Sequence, residues 1–198
     1  MACAITLEFV SMMPHLLSIV SRTLSPKETI MYGDPLAYFI TWTCYGTWLP
    51  GDNRGGFKWK KGQQIPQPLL VDWVREELLE PPVFLDEAQR QVVENTIVDH
   101  CQRRQWHLHA KNCRTNHCHV VVTAKDRAGI EVRDQLKSWC KRKLKELQWT
   151  MAGVELLRLR EHWWTKKGCV RLLFDNESLE AAVIYTLEAQ GEGGSKFA

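Results

Sequence analysis

The chain has no CxxC pair and no regular cysteine spacing: its 7 cysteines stand at positions 3, 44, 101, 113, 118, 140 and 169. That arrangement offers neither a zinc-binding quartet nor a redox dithiol, and the odd number leaves no closed disulfide framework. The thiols are therefore expected to be free, as in a reducing cytoplasm. Charge of one sign is also scarce, with 26 Lys and Arg against 23 Asp and Glu for a net charge of +3. No internal repeat and no low-complexity tract interrupts the sequence, which excludes solenoid and linker-like architectures. No apolar run is long enough to cross a bilayer. The stretch "ITLEFVSMMPHLLSIV" is broken by Glu8, Pro14 and His15, and no Lys or Arg precedes it as a signal peptide would require. Residues 1–34 are expected to be a poorly defined leader, with Met31 as the true start, and the protein is expected in the cytoplasm with no membrane contact.

What is present is enough apolar surface for one domain: 44% of the 198 residues are hydrophobic, including 9 Trp. Residues 36–45, "LAYFITWTCY", alternate as a half-buried strand, with Tyr38, Ile40, Trp42 and Cys44 on one side and Thr41 and Thr43 on the other. "GTWLPGDNRGG" marks a loop, and "LLVDWVREELLE" reads as a short helix ended by Pro81-Pro82. Asp86 is the expected N-cap of a helix in which Val92, Val93, Ile97 and Cys101 repeat at helical spacing. Two strands follow, "HLHAKNC" and "HCHVVVTA", joined by the turn "RTN". A long amphipathic helix is expected over 129–149, with Val132, Leu136, Trp139, Lys143 and Leu147 in line. A fourth strand at 168–174 and a final helix, capped by Asn176 and ending at Gly191, complete the chain. This order predicts an α+β, ferredoxin-like split βαβ domain over 35–192, with residues 193–198 as a tail. Two helices would cover one sheet face, leaving the other for the extra C-terminal helix.

The chemistry concentrates in "RTNHCHVVV" at 114–122. Side chains alternate along a strand, so His117 and His119 share one face while Cys118, Val120 and Val122 share the core face. Two neutral imidazoles side by side supply half of a divalent-metal site and need an oxygen ligand to complete it. A second pair, His107 and His109, lacks a flanking motif and reads as ordinary surface histidines. In the last helix, Tyr185 and Glu188 are three residues apart and share a face. A tyrosine oxygen is a competent nucleophile toward phosphorus, and a metal beside it would stabilise the developing charge. Between positions 133 and 145, Arg133, Lys137, Lys141, Arg142, Lys143 and Lys145 face only one acid, Asp134, a local basic stripe that suits a polyanion.

Together, "AYFITWTCYGTWLPGD", "RTNHCHVVV" and a Y-x-x-E-x-Q helix after "WWTKKG" and "RLLF" resemble the single-tyrosine HUH transposases of the insertion-sequence and REP-associated types. The resemblance covers 38–191. It implies that His117 and His119 bind Mg²⁺ or Mn²⁺ and that Tyr185 attacks a DNA phosphate, leaving a 5′-phosphotyrosyl link and a free 3′-hydroxyl. Family members of the insertion-sequence type place a glutamine ligand four residues after the tyrosine, where this chain has Ala189. Glu188 fits the third position by helical face and Gln190 by residue type. The implied substrate is single-stranded DNA beside a hairpin, and a homodimer is one expected state.

Lys137, Lys141, Arg142 and Lys145 are then candidates to track phosphates, with Trp48, Trp59 or Trp163 stacking on bases. Lys111 is expected on the histidine face with a phosphate contact. Arg114 is a further candidate for nucleic acid, and with Asn116 it is expected to hold His117 in place. The rival reading is a domesticated or RRM-like module that binds single strands without cutting them. The absence of a G-F-G-F type motif on the matching strand disfavours the RRM form.

Overall fold

The structure, a computed structural model, describes residues 33–53, 57–58, 62–63, 65–152 and 159–188. The expected tail and all but the end of the expected leader lie outside these residues. The elements are β1 (Ala37–Thr43), β2 (Phe57–Lys58), β3 (Gly62–Gln63), α1 (Pro68–Glu76), α2 (Glu87–Arg104), β4 (His107–Cys113), β5 (His117–Thr123), α3 (Gly129–Ala152), β6 (Cys169–Leu173) and α4 (Asn176–Leu187). Four strands form one antiparallel sheet in the order β4-β5-β1-β6. With the small β2-β3 ribbon set aside, this is the expected ferredoxin-like arrangement: β1, α2, β4, β5, α3, β6, with the first strand central.

Alternation along the strands sorts the sheet into two apolar faces. On one, Tyr38, Ile40, Trp42, Cys118, Val120 and Val122 pack against Val93, Ile97 and Cys101 of α2 and Val132, Leu136, Cys140 and Leu144 of α3. The buried line of α3 thus runs through Cys140 and Leu144. The expected line through Trp139 and Lys143 is rotated by one residue, because positions four apart keep the sheet-facing side of a straight helix. On the other face, Ala37, Phe39, Ala110 and Val121 meet Leu173, Ala182 and Tyr185, so α4 covers the histidine side as expected.

Helix ends follow local chemistry. Asp86 caps α2 in a reciprocal box: its carboxylate accepts from the Gln89 N–H, and the Gln89 side chain accepts from the Asp86 N–H. For α4 the cap is Asp175 rather than Asn176, its Oδ1 accepting from the Ser178 N–H at 2.7 Å. Both residue types can cap, but only the one with extended backbone holds its side chain beside the free N–H groups. Six described cysteines are free thiols, and all except Cys169 are buried. No described helix is long and apolar enough to cross a membrane.

Candidate active site on the covered sheet face

Register places the site. His117 pairs with Thr43, and His119 pairs with Thr41 of β1 on one side and Asn112 of β4 on the other. The turn between β4 and β5 is closed by the Arg114 N–H donating to the His117 carbonyl at 2.8 Å. His117 Nδ1 lies 2.6 Å from Asn116 Oδ1. An amide oxygen only accepts, so that contact requires the proton on Nδ1 and leaves Nε2 with the lone pair. The two imidazoles stand edge to face with centroids 4.7 Å apart.

His119 is 0% exposed, and neither ring nitrogen has a hydrogen-bond partner among the described residues. Its ring stacks in parallel on Phe39 at 5.6 Å and meets the ring of Tyr185 edge to face at 5.6 Å. Burial, then the charges of His117 and Arg114, push its pKa well below the usual histidine range. The imidazole is therefore neutral and carries a lone pair. A buried polar group left without a partner costs about 1–3 kcal/mol, and at His119 that cost is held beside the ring of Tyr185.

Tyr185 reaches this point because α4 crosses the sheet from β6 toward β4. Phe39 and Tyr185 are in edge contact at 5.9 Å. The Asn112 side-chain amide donates to the Thr186 carbonyl at 2.9 Å, tying the turn that carries Tyr185 to the strand beside His119. Glu188 is the C-cap of α4 and exposed, its N–H donating to the Ile184 carbonyl at 2.8 Å. Among the described residues no third His, Cys, Asp or Glu gathers with the pair. Glu188 is thus not brought to the imidazoles, and Gln190 lies outside the described residues.

Of the expected phosphate contacts, only Arg114 stands close enough for its charge to act on His119. Lys111 is on the opposite face. It pairs in register with Val120, and its Nζ is taken by Glu94 of α2. The tight hairpin register decides this: Asn112 pairs with His119, so its neighbour Lys111 points to the other face with Val120. Lys137 is 7% exposed and reaches from α3 to the loop before β6, where Nζ donates to the Thr165 and Lys167 carbonyls at 2.7 Å each. Lys141 and Lys145 pair with Glu161, and Arg142 lies 3.6 Å over the Trp139 ring. All four are on α3, across the sheet from Tyr185. Trp163 is core, Trp48 is half-buried, and Trp59 lies outside the described residues. His107 and His109 touch edge to face at 4.4 Å near the far end of β4, where His109 Nε2 meets Thr123 Oγ1 at 2.9 Å.

Three residues of this face went unread in the sequence: Phe39, Asn112 and Arg171. Phe39 shares the parity of Thr41, so alternation in β1 was a sufficient signal. Arg171 of β6 pairs with Phe39, and that register is invisible before the strands are docked.

No protein-family profile matches the chain, and no curated protein does. Among solved structures, the chain is similar to a candidate transposase from Deinococcus radiodurans, with TM-score 0.43 and 11% identity over 75% of this chain and 87% of the other. It is also similar to a REP-associated tyrosine transposase bound to a REP hairpin, with TM-score 0.41 and 12% identity over 78% of this chain and 66% of the other. The fold itself rests on the strand order and register of this chain.

Proposed function

We propose that the chain is a metal-dependent transposase that cleaves and rejoins single-stranded DNA through Tyr185. The observation that carries this reading is His119: a neutral, fully buried imidazole without a hydrogen-bond partner among the described residues, in ring contact with a tyrosine. The donor set fits a divalent cation at two positions, His117 through Nε2 and His119 through a ring nitrogen. On this reading the third ligand comes from the end of α4, from Gln190 or from Glu188, which would have to turn from its exposed C-cap position toward the imidazoles. When bound, Mg²⁺ or Mn²⁺ supplies polarisation of the scissile phosphate.

The residues of the chain do the rest. The phenol of Tyr185 gives up its proton and its oxygen attacks phosphorus. The bond from phosphorus to the 3′ oxygen breaks, that oxygen leaves as a hydroxyl with a proton, and the 5′ phosphate stays on the tyrosine. Attack by another 3′-hydroxyl reverses the step and joins a new strand. One phosphodiester is exchanged for another, so no ATP is consumed. Arg114 adds positive charge near the phosphate, and Asn116 holds His117 in its tautomer. Tyr185 is 5% exposed, so its hydroxyl reaches DNA only once the side chain turns out or α4 shifts.

The RRM-like alternative needs an open face with aromatic rings on its central strands. Here Phe39, the ring that β1 turns to that face, is buried beneath α4. The test is a cleavage assay on single-stranded DNA carrying a hairpin, with Mg²⁺ or Mn²⁺. A covalent protein–DNA adduct is expected from the wild type and from neither Tyr185→Phe nor His119→Ala. Binding without an adduct in either metal would hand the lead to a module that binds without cutting.

A further inference from the structure

The basic stripe of α3 cannot deliver a strand to Tyr185, because helix and tyrosine lie on opposite sides of the sheet. The tyrosine face has its own cation. Cross-strand partners share a face, so Phe39, in ring contact with both His119 and Tyr185, brings Arg171 of β6 onto that face beside it. One row further along, Cys169 stands beside Thr41, the partner of His119. α4 leans over β4 and β5 and only touches β6. Among the described residues a strip of the face is thereby left beside the helix, floored by Cys169 and Arg171, flanked by the buried Thr41 and closed at one end by Thr43 and His117.

Cys169, Arg171, Thr43 and His117 are all half-buried, neither sealed in the core nor free in solvent. β6 is an edge strand, so the strip opens sideways. The exposed Lys166 and Lys167 stand in the turn that leads into β6. Partial burial lowers the pKa of Arg171, with Cys169 and Asp175 acting against the shift. A guanidinium stays charged in any protein, so a half-dehydrated one on this face is suited to a planar, doubly hydrogen-bonded anion.

We infer that Arg171 binds a backbone phosphate of the single strand, which crosses the β6 edge and lies in the strip beside α4. This rests on the proposed function and adds the path by which the strand reaches Tyr185. One phosphate next to the scissile one is held by the arginine fork, and the α3 cations take no part.

The test measures binding of a fluorescent, mixed-sequence single strand by anisotropy, in the Tyr185→Phe background so that nothing is cleaved. Arg171→Gln is expected to weaken binding by about tenfold, the loss of one charge-assisted contact, and to lower the slope of log affinity against log salt by about one phosphate. A combined Lys141→Ala, Arg142→Ala, Lys145→Ala variant is expected to bind like its parent. Single methylphosphonate linkages then find the contact: one neutralised linkage should weaken the parent while leaving Arg171→Gln no worse. Arg171→Lys, which keeps the charge, serves if the glutamine variant fails to fold, and should retain part of the salt slope but lose the linkage specificity.

Unchanged binding in both Arg171 variants, or loss of binding in the α3 variant alone, would overturn the inference. A covalent adduct from the wild type would in that case leave the proposed function standing. A wild type that neither binds the strand nor forms an adduct would overturn both.

Discussion

His119 and Asn112 sit opposite each other across two strands, and their polar groups fare differently. Asn112 spends its amide on the Thr186 carbonyl, while the His119 nitrogens find no partner among the described residues. The Asn112 bond holds the tyrosine helix, while His119 keeps the lone pair that the proposed metal site would use. Removing the Asn112 amide strands a carbonyl at the half-buried end of α4. Asn112→Ala should cost about 1 kcal/mol, and about 3 °C in melting temperature for a chain of this size. Adduct formation should fall by more than the loss of folded protein explains, because the turn bearing Tyr185 is what loosens. Equal losses in melting and in adduct would assign Asn112 to stability alone. At this scale the shared face of His117 and His119 was legible by strand alternation, whereas Tyr185 was singled out by the family resemblance rather than by its spacing. The sequence was misleading for Lys111, because the hairpin register that sets Asn112 rather than Lys111 opposite His119 is fixed only when the two strands pair.

Elements meet most tightly where the loop before β6 docks. Gly168 sits under β1: a Cβ there would lie 2.5 Å from the Thr41 carbonyl oxygen and 3.0 Å from the Trp42 Cβ. The same loop is clasped by α3, since Arg133 Nη1 donates to the Gly168 carbonyl at 3.1 Å and Lys137 donates to the carbonyls on either side of Lys166. A backbone oxygen within a sheet cannot retreat, so Gly168→Ala must push β6 from β1 and should cost about 1–3 kcal/mol. Because β6 carries the chain into α4, displaced strand pairing should also disturb the contact of Tyr185 with His119. Thermal melting of Gly168→Ala against wild type checks the first effect, and an unchanged midpoint would show that the close approach is not required. The basic stripe of α3 was visible as composition. That one of its lysines serves as a clasp for this loop was not, because the carbonyls it binds come from another part of the chain.

Across the whole molecule, the buried thiols set the response to alkali. Burial raises the pKa of Cys101 to about 12 and lifts Cys44, Cys118 and Cys140 well above the usual thiol range. Lys137 acts in the other direction, its pKa brought down to about 8 mainly by burial. Below about pH 8 all five groups hold their protons in both states, and none makes stability depend on pH. From about pH 8.5 upward the unfolded thiols ionise while the folded ones do not, so the folded state binds more protons and stability falls. Between about pH 8 and 10 the lysine gives the opposite slope, since the unfolded chain keeps a proton the folded one has released. Four thiols against one lysine decide the sign. Chemical denaturation from pH 7 to pH 10 should show falling stability, with each thiol worth about 1.4 kcal/mol per pH unit once ionised in the unfolded state. Cys101→Ala should reduce that slope by about one proton, although the cavity it leaves lowers stability at every pH. A slope unaffected by the substitution would mean that Cys101 does not stay protonated in the folded protein.

By itself the sequence determined the order of the main strands and helices, the core parity of β1 and β5, and the shared face of His117 and His119. Each of these depends on neighbours a few residues away, through alternation, helical spacing or capping. Tertiary structure alone decided which side of the sheet each cation occupies, that Asn112 holds the tyrosine helix, that Phe39 touches both imidazole and phenol, and that Arg171 joins their face. Those outcomes depend on strand register and on the direction in which α4 crosses the sheet. Both are fixed by long-range packing, and a shift of one residue in either would exchange the faces.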